Sequence, residues 1–268
     1  MKKSAPKNKT KKDFKIKELA KKWLAPLSTA IIVVILSVIA VTFGRQRSLS
    51  NNQQAVSPQV EVVQNSDNVQ LPATDSRSSN SIEAVLKNRR VRLDYSDASL
   101  SLKQIAQLLW AGQGINTDWG DRTAPSMKST YPLTLYLVAN KVDGLEAGEY
   151  QYLPGDRTPL NQLKPIKKTE MSDTLYDLLN QSSFKNIPAV IVVAGNMEKM
   201  AEAYGGIRHD KEVYLEAGFA AQNMALQAES LKLGTMISTN FDELKLKEII
   251  TIADTDTIIY LMPVGSPK

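Results

Sequence analysis

The sequence predicts an α+β domain with a mixed sheet between helical layers. Three observations lead there. Helical patterns come first, after Ser81. Apolar runs of strand length follow from Leu133 onward and alternate with further helical segments. The longest helical pattern, Lys211 to Leu233, comes late and is rich in small residues.

Taken in order, Ser81 is placed to cap a helix whose Ile82, Val85 and Leu86 share one face. A second helix starts near Ser99 or Ser101, with Leu102, Ile105, Ala106, Leu108 and Leu109 as its apolar stripe. Leu133–Ala139, Ala189–Ala194 and Thr257–Pro263 read as strands, and Glu149–Leu153 as a shorter one. Asp173–Asn180 and Lys199–Ala203 fit short helices. Gly234 offers a stop for the long helix. That helix carries Ala217, Gly218, Ala220, Ala221, Ala225 and Ala228, which allow a neighbouring backbone or a flat ligand to come close.

The region before Ser81 differs in composition. Residues 1–23 hold ten lysines against Asp13 and Glu18, a local balance of +8, whereas the whole chain is +5, leaving −3 for the rest. The basic character therefore belongs to a tail, and it gives no support to nucleic-acid binding by the domain. Leu24–Phe43 contains no charge and, as a helix, would span about 30 Å, the thickness of a bilayer core. The flanking lysines orient such a span with the N-terminus cytoplasmic and the domain extracytoplasmic. A cleaved signal peptide is the competing reading, although GRQRS after the apolar run lacks a small-x-small site. Residues 45–80 contain no aromatic residue and read as a flexible linker. The expected organisation is a basic cytoplasmic tail (1–23), a transmembrane helix (24–44) contacting the lipid bilayer, the linker (45–80) and a folded domain (81–268).

The chain has no cysteine and one histidine, His209, which excludes thiol chemistry and disfavours zinc sites and Ser-His-Asp triads; no metal ligands are assigned. Four blocks remain as candidates for chemistry. Asn88–Tyr95 (NRRVRLDY) clusters three arginines, a group matched to phosphate or else a solvated basic loop. Arg122–Leu133 (RTAPSMKSTYPL) is constrained between Pro125 and Pro132. Leu215–Asn223 (LEAGFAAQN) puts Glu216, Phe219 and Asn223 on one helical face, where a buried Glu or Asn requires a partner. Leu231–Glu243 (LKLGTMISTNFDE) follows the long helix and contains Gly234.

These blocks, in this order from Ser81 to Lys268, resemble the nitroreductase family, in particular its branch close to the azoline dehydrogenases that act on ribosomal peptides. The resemblance implies FMN at a homodimer interface and a nitroreductase-like fold. It implies that Arg89 and Arg90 grip the FMN phosphate, with Val91 and Leu93 standing where the family has Ser and a basic residue. It implies that Pro125 and Ser126 line the flavin, with Lys128 in a glycine position, and that Glu216, Gly234 and Thr235 complete the cofactor site. Thr239 and Asn240 would present amides near flavin N5. No catalytic acid or base is carried over. Two functions follow: an FMN-dependent oxidoreductase passing hydride to or from a small molecule or peptide, or a degenerate scaffold of the same fold without flavin.

Overall fold

The computed structural model describes residues 67–268. A seven-stranded sheet runs β1 (Val69–Gln70), β6 (Pro159–Lys167), β5 (Gly148–Gly155), β3 (Leu133–Ala139), β7 (Ala189–Asn196), β9 (Asp256–Gly265), β8 (Gly234–Thr235). Every ladder in it is antiparallel. Parallel pairing is confined to a separate pair, β2 (Leu100–Ser101) with β4 (Val142–Asp143). The expected mixed sheet is corrected on that point: β3, β5 and β6 follow one another through short connections, which antiparallel neighbours permit and parallel ones do not.

Helices cover both faces of the sheet, as the fold class requires. Leu135 and Leu137 of β3 pack with Ile105 and Leu109 of α2 (Leu102–Gln113) and with Ala217 and Met224 of α5 (Asp210–Ser230). Tyr136 and Val138 point the other way, toward Leu175 of α3 (Ser172–Leu179) and Leu246 of α6 (Glu243–Ile249). A strand covered on both sides reads as a continuous apolar run, which is why LTLYLVA is so legible. The remaining helices are α1 (Ile82–Asn88) and α4 (Met197–Ala203).

Local signals account for the helix starts. Ser81 accepts the Ala84 amide, and Ser101 forms a capping box with Gln104. The α1 stripe is corrected: Val85 is buried, but Ile82 and Leu86 are 55% and 53% exposed. The stop of α5 is also corrected. Lys232 takes the left-handed conformation (φ 60°), and the Leu233 amide returns to the Ala228 carbonyl at 2.8 Å. Gly234 instead enters β8, where a Cβ would lie 2.7 Å from the Arg92 Cβ.

Strand β6 lay outside the sequence expectation because Pro159 opens it and Pro165 interrupts it. The short β1 pairs only with Gln162 and Leu163, so Pro165 faces an open edge, where a missing donor costs little. Residues 67–80, assigned to the linker, are part of the domain. Leu71 is buried, Val69 and Gln70 pair with β6, and Gln107 holds the Asp75 backbone through its amide and carbonyl. Among the described residues no helix is long and apolar enough to cross a membrane. The span expected at 24–44, like the basic tail, lies outside the described residues.

Candidate functional site

The long helix α5 organises the loop from Arg122 to Pro132. Glu216, 1% exposed, accepts the Ser126 hydroxyl at 3.0 Å and the Met127 amide at 2.8 Å through Oε1. The Ser126 hydroxyl in turn accepts the Tyr131 amide at 2.7 Å. Two turns along the helix, the Asn223 amide donates to the Thr123 carbonyl at 3.1 Å. Glu216 therefore serves as an internal anchor of the loop. Burial raises its pKa, and the bonds from Met127 and Ser126 oppose that rise.

The loop backbone is unusual. Lys128, Ser129 and Tyr131 adopt positive φ angles of 53°, 52° and 47°. The glycine expected at position 128 from the resemblance suits this conformation, and lysine occupies it at a conformational cost. The Lys128 side chain turns back onto its own protomer. Its Nζ donates to the Ala203 carbonyl at 2.8 Å and sits 4.0 Å from the Tyr204 ring centre. Tyr204 stacks on His209 at 3.7 Å. Pro125 is exposed at the head of the loop.

The arginines lie elsewhere. Arg89 closes α1, donating its amide to the Val85 carbonyl at 2.9 Å. Arg90 is engaged, its Nη1 bonding the Lys87 and Arg89 carbonyls at 2.7 and 2.9 Å. Arg92 runs beside β8, its amide donating to the Thr235 carbonyl at 3.1 Å, while the Tyr95 hydroxyl donates to the Arg92 carbonyl at 2.7 Å. Neither Arg89 nor Arg92 pairs with a carboxylate among the described residues. Thr235 directs its hydroxyl to the Pro263 carbonyl at 2.8 Å, so its side chain fastens β8 to the sheet.

Thr239 and Asn240 are exposed on the turn that follows. Gln181 fixes this turn, accepting the Ser238 hydroxyl at 2.8 Å and donating to the Asn240 carbonyl at 2.7 Å. Sequence reasoning missed Gln181, which stands 57 residues from Ser238 with no local pattern linking them.

The predicted residues do not all come together. Pro125, Ser126 and Glu216 gather at the N-terminal half of α5. The Arg89–Arg92 segment meets Gly234 and Thr235 just past the C-terminus of that helix. Thr239 and Asn240 follow Ser238, which bridges Leu261 beside Tyr260, and the Tyr260 hydroxyl reaches the Ala217 carbonyl in the N-terminal half of α5. At 1.5 Å per residue, Glu216 and Ser230 are roughly 20 Å apart along the axis. The N-terminal half of α5 presents an exposed stripe: Leu215 is 51% and Phe219 37% exposed, and a Cβ added at Gly218 would meet nothing within 4 Å.

This arrangement, antiparallel sheet, long central helix and divided polar groups, defines an α+β protein with its candidate site along one helix. The nitroreductase family model matches residues 86–266. Putative nitroreductase MJ1384 of Methanocaldococcus jannaschii is 32% identical over 197 residues, covering 74% of this chain and 95% of the relative. A putative nitroreductase structure from Ralstonia eutropha JMP134 superposes with a TM-score of 0.64 at 24% identity, over 75% of this chain and 90% of that one. A chain of the Escherichia coli microcin synthetase McbBCD complex with truncated pro-MccB17 bound shares the fold, with a TM-score of 0.55 at 18% identity over 87% and 93%. The chain belongs to the nitroreductase family.

The expected localisation, a membrane-held domain outside the cytoplasm, is corrected. The match that defines the family spans nearly the whole of the Methanocaldococcus relative without drawing on all of this chain. No helix among the described residues is suited to cross a membrane. The longest, α5, carries Asp210, Lys211, Glu212, Glu216 and Glu229, charges that no bilayer-spanning stretch of its length would hold.

Proposed function

We propose that this chain is an FMN-dependent oxidoreductase that works as a homodimer and passes hydride through flavin N5 to or from a small molecule or peptide. The observation that carries the reading is the division of the site residues between the two ends of α5. One protomer holds its Ser126 loop and its arginines at opposite ends of that helix. A second copy packed antiparallel on α5, crossing about midway between Glu216 and Ser230 beside the exposed Phe219 and Gln222, would bring its Ser126 loop toward the first copy's arginines.

The residues present fit FMN. Arg89 and Arg92 carry guanidiniums that pair with no carboxylate among the described residues, the stem of Arg92 being packed on Gly234. Lys128, which would crowd a flat ring, is drawn off by Ala203 and Tyr204. When bound, FMN supplies a reversible two-electron hydride carrier at N5. Arg89 and Arg92 would hold its phosphate. Arg90 positions Arg89 by satisfying the last carbonyls of α1, and Gly234 and Thr235 seat the arginine segment on the sheet. Ser126, Pro125 and the backbone after them would line the ring, with Glu216 fixing their conformation. The Thr239–Asn240 amides, held by Gln181, would supply neutral donors at the ring edge without adding a titrating group.

The test is the visible spectrum and mass of the purified full chain. Flavin absorbance that stays with a dimeric species through gel filtration is the expected result. A colourless chain that takes up no added FMN would end the proposal.

A further inference from the structure

A polar cavity of about 340 Å³ opens at the end of the sheet where β3 begins and β7 ends. Its wall holds two cations, Arg122 and Lys199, and one carboxylate, Asp256. Arg122 donates to Gln113 Oε1 at 2.8 Å, and its guanidinium carbon lies 4.8 Å from the Tyr131 ring centre. Lys199, from α4, donates to the Tyr131 carbonyl at 3.0 Å. Both cations therefore meet on Tyr131.

Neither forms an ion pair with a carboxylate among the described residues. The acid next in sequence, Asp121, is taken by the Tyr131 hydroxyl at 3.0 Å and by the Trp119 indole. Burial lowers the pKa of Arg122. Lys199 keeps solvent exposure, yet desolvation and then the Arg122 charge hold its pKa below the ordinary lysine value; Asp256, Asp156 and Glu216 oppose this only in part. Two like charges held together at a cavity wall, with donors left over, are the electrostatic complement of an anion. The volume suits a small molecule.

We propose that this cavity binds a small ligand through a carboxylate or phosphate seated between Arg122 and Lys199. The planar guanidinium offers a two-pronged contact to either oxyanion, the ammonium supplies a second point charge, and Asn196 and Thr255 on the wall can address the ligand's neutral polar groups. The site stands apart from the arginines at Arg89 and Arg92, and it does not depend on the flavin reading.

Calorimetric titration of the full chain with inorganic phosphate and, separately, with succinate tests this. Saturable binding of at least one anion is expected, and the tighter of the two identifies the oxyanion class. Lys199→Met and Arg122→Gln should each weaken it about tenfold or more. Lys199→Arg should retain it. Thermal melts establish that each variant is folded. Should Arg122→Gln fail to fold, the Lys199→Met and Lys199→Arg pair carries the comparison, since Lys199 is exposed. Absence of saturation by both anions, or wild-type binding in Lys199→Met, would overturn the assignment.

Discussion

Glu216 holds Ser126 across 90 residues of sequence, its buried Oε1 receiving both the hydroxyl and the neighbouring Met127 amide. A residue whose place in the motif reads as a cofactor ligand thus acts one step back, by shaping the loop that carries Ser126.

The same burial makes stability depend on pH. The Glu216 pKa is raised in the fold, so the folded chain keeps a proton that the unfolded chain has released. Stability from this group therefore falls as pH rises from the ordinary glutamate value through the folded one. Glu149, raised mainly by burial too, contributes with the same sign. Glu216→Gln keeps the Oε1 acceptor and removes this slope. The Tm difference between variant and wild type should move in the variant's favour from about pH 4 toward about pH 7. A constant difference across that range would contradict the assignment.

Arg89→Ala should weaken FMN retention roughly tenfold or more, the worth of a lost charge-assisted hydrogen bond. Arg92→Ala should do less, because that segment is also held by its backbone bond to Thr235 and by Tyr95. Fluorescence titration with FMN ranks the two, and the reverse order would reassign the phosphate contact.

Gly234→Ala should destabilise the protein by about 1–3 kcal/mol, the usual cost of overpacking. The new Cβ would collide with Arg92 Cβ at 2.7 Å and Tyr95 at 3.2 Å. Urea denaturation measures the loss, and reduced FMN uptake should accompany it.

Much of the architecture could be read from local chemistry. Ser81 and Ser101 announce their helices because a hydroxyl before an apolar pattern satisfies the first free amides. Strand β3 shows itself because both its faces are buried. Helix α6, capped by Asp242, and strand β6, broken by two prolines, carried weaker local signals and depended on their neighbours. At the site, the motifs marked where polar residues belong along the chain. They did not reveal that Thr235 faces the sheet, that Lys128 folds onto Tyr204, or that Arg90 bonds its own helix. Each of those follows from contacts between residues distant in sequence, or from backbone geometry that spacing does not encode.

Gly218→Leu should leave the protomer folded, since a side chain there meets nothing within 4 Å of its first carbon. In a dimer packed on this stripe it should drive dissociation, and Phe219→Glu should do the same. Analytical ultracentrifugation distinguishes the species; an unchanged mass for both variants would place the contact between copies elsewhere.

Because α5 separates the Ser126 loop from the arginines, two inactive alleles could rescue one another. In the proposed dimer, where each pocket takes its Ser126 loop from one copy and its arginines from the other, a chain damaged at Ser126, co-expressed with one damaged at Arg89, would form hybrids in which one pocket inherits both lesions and the other inherits neither. Half the pockets of each hybrid would then be whole, so genetic complementation between the two defects becomes a property of the helix that keeps them apart.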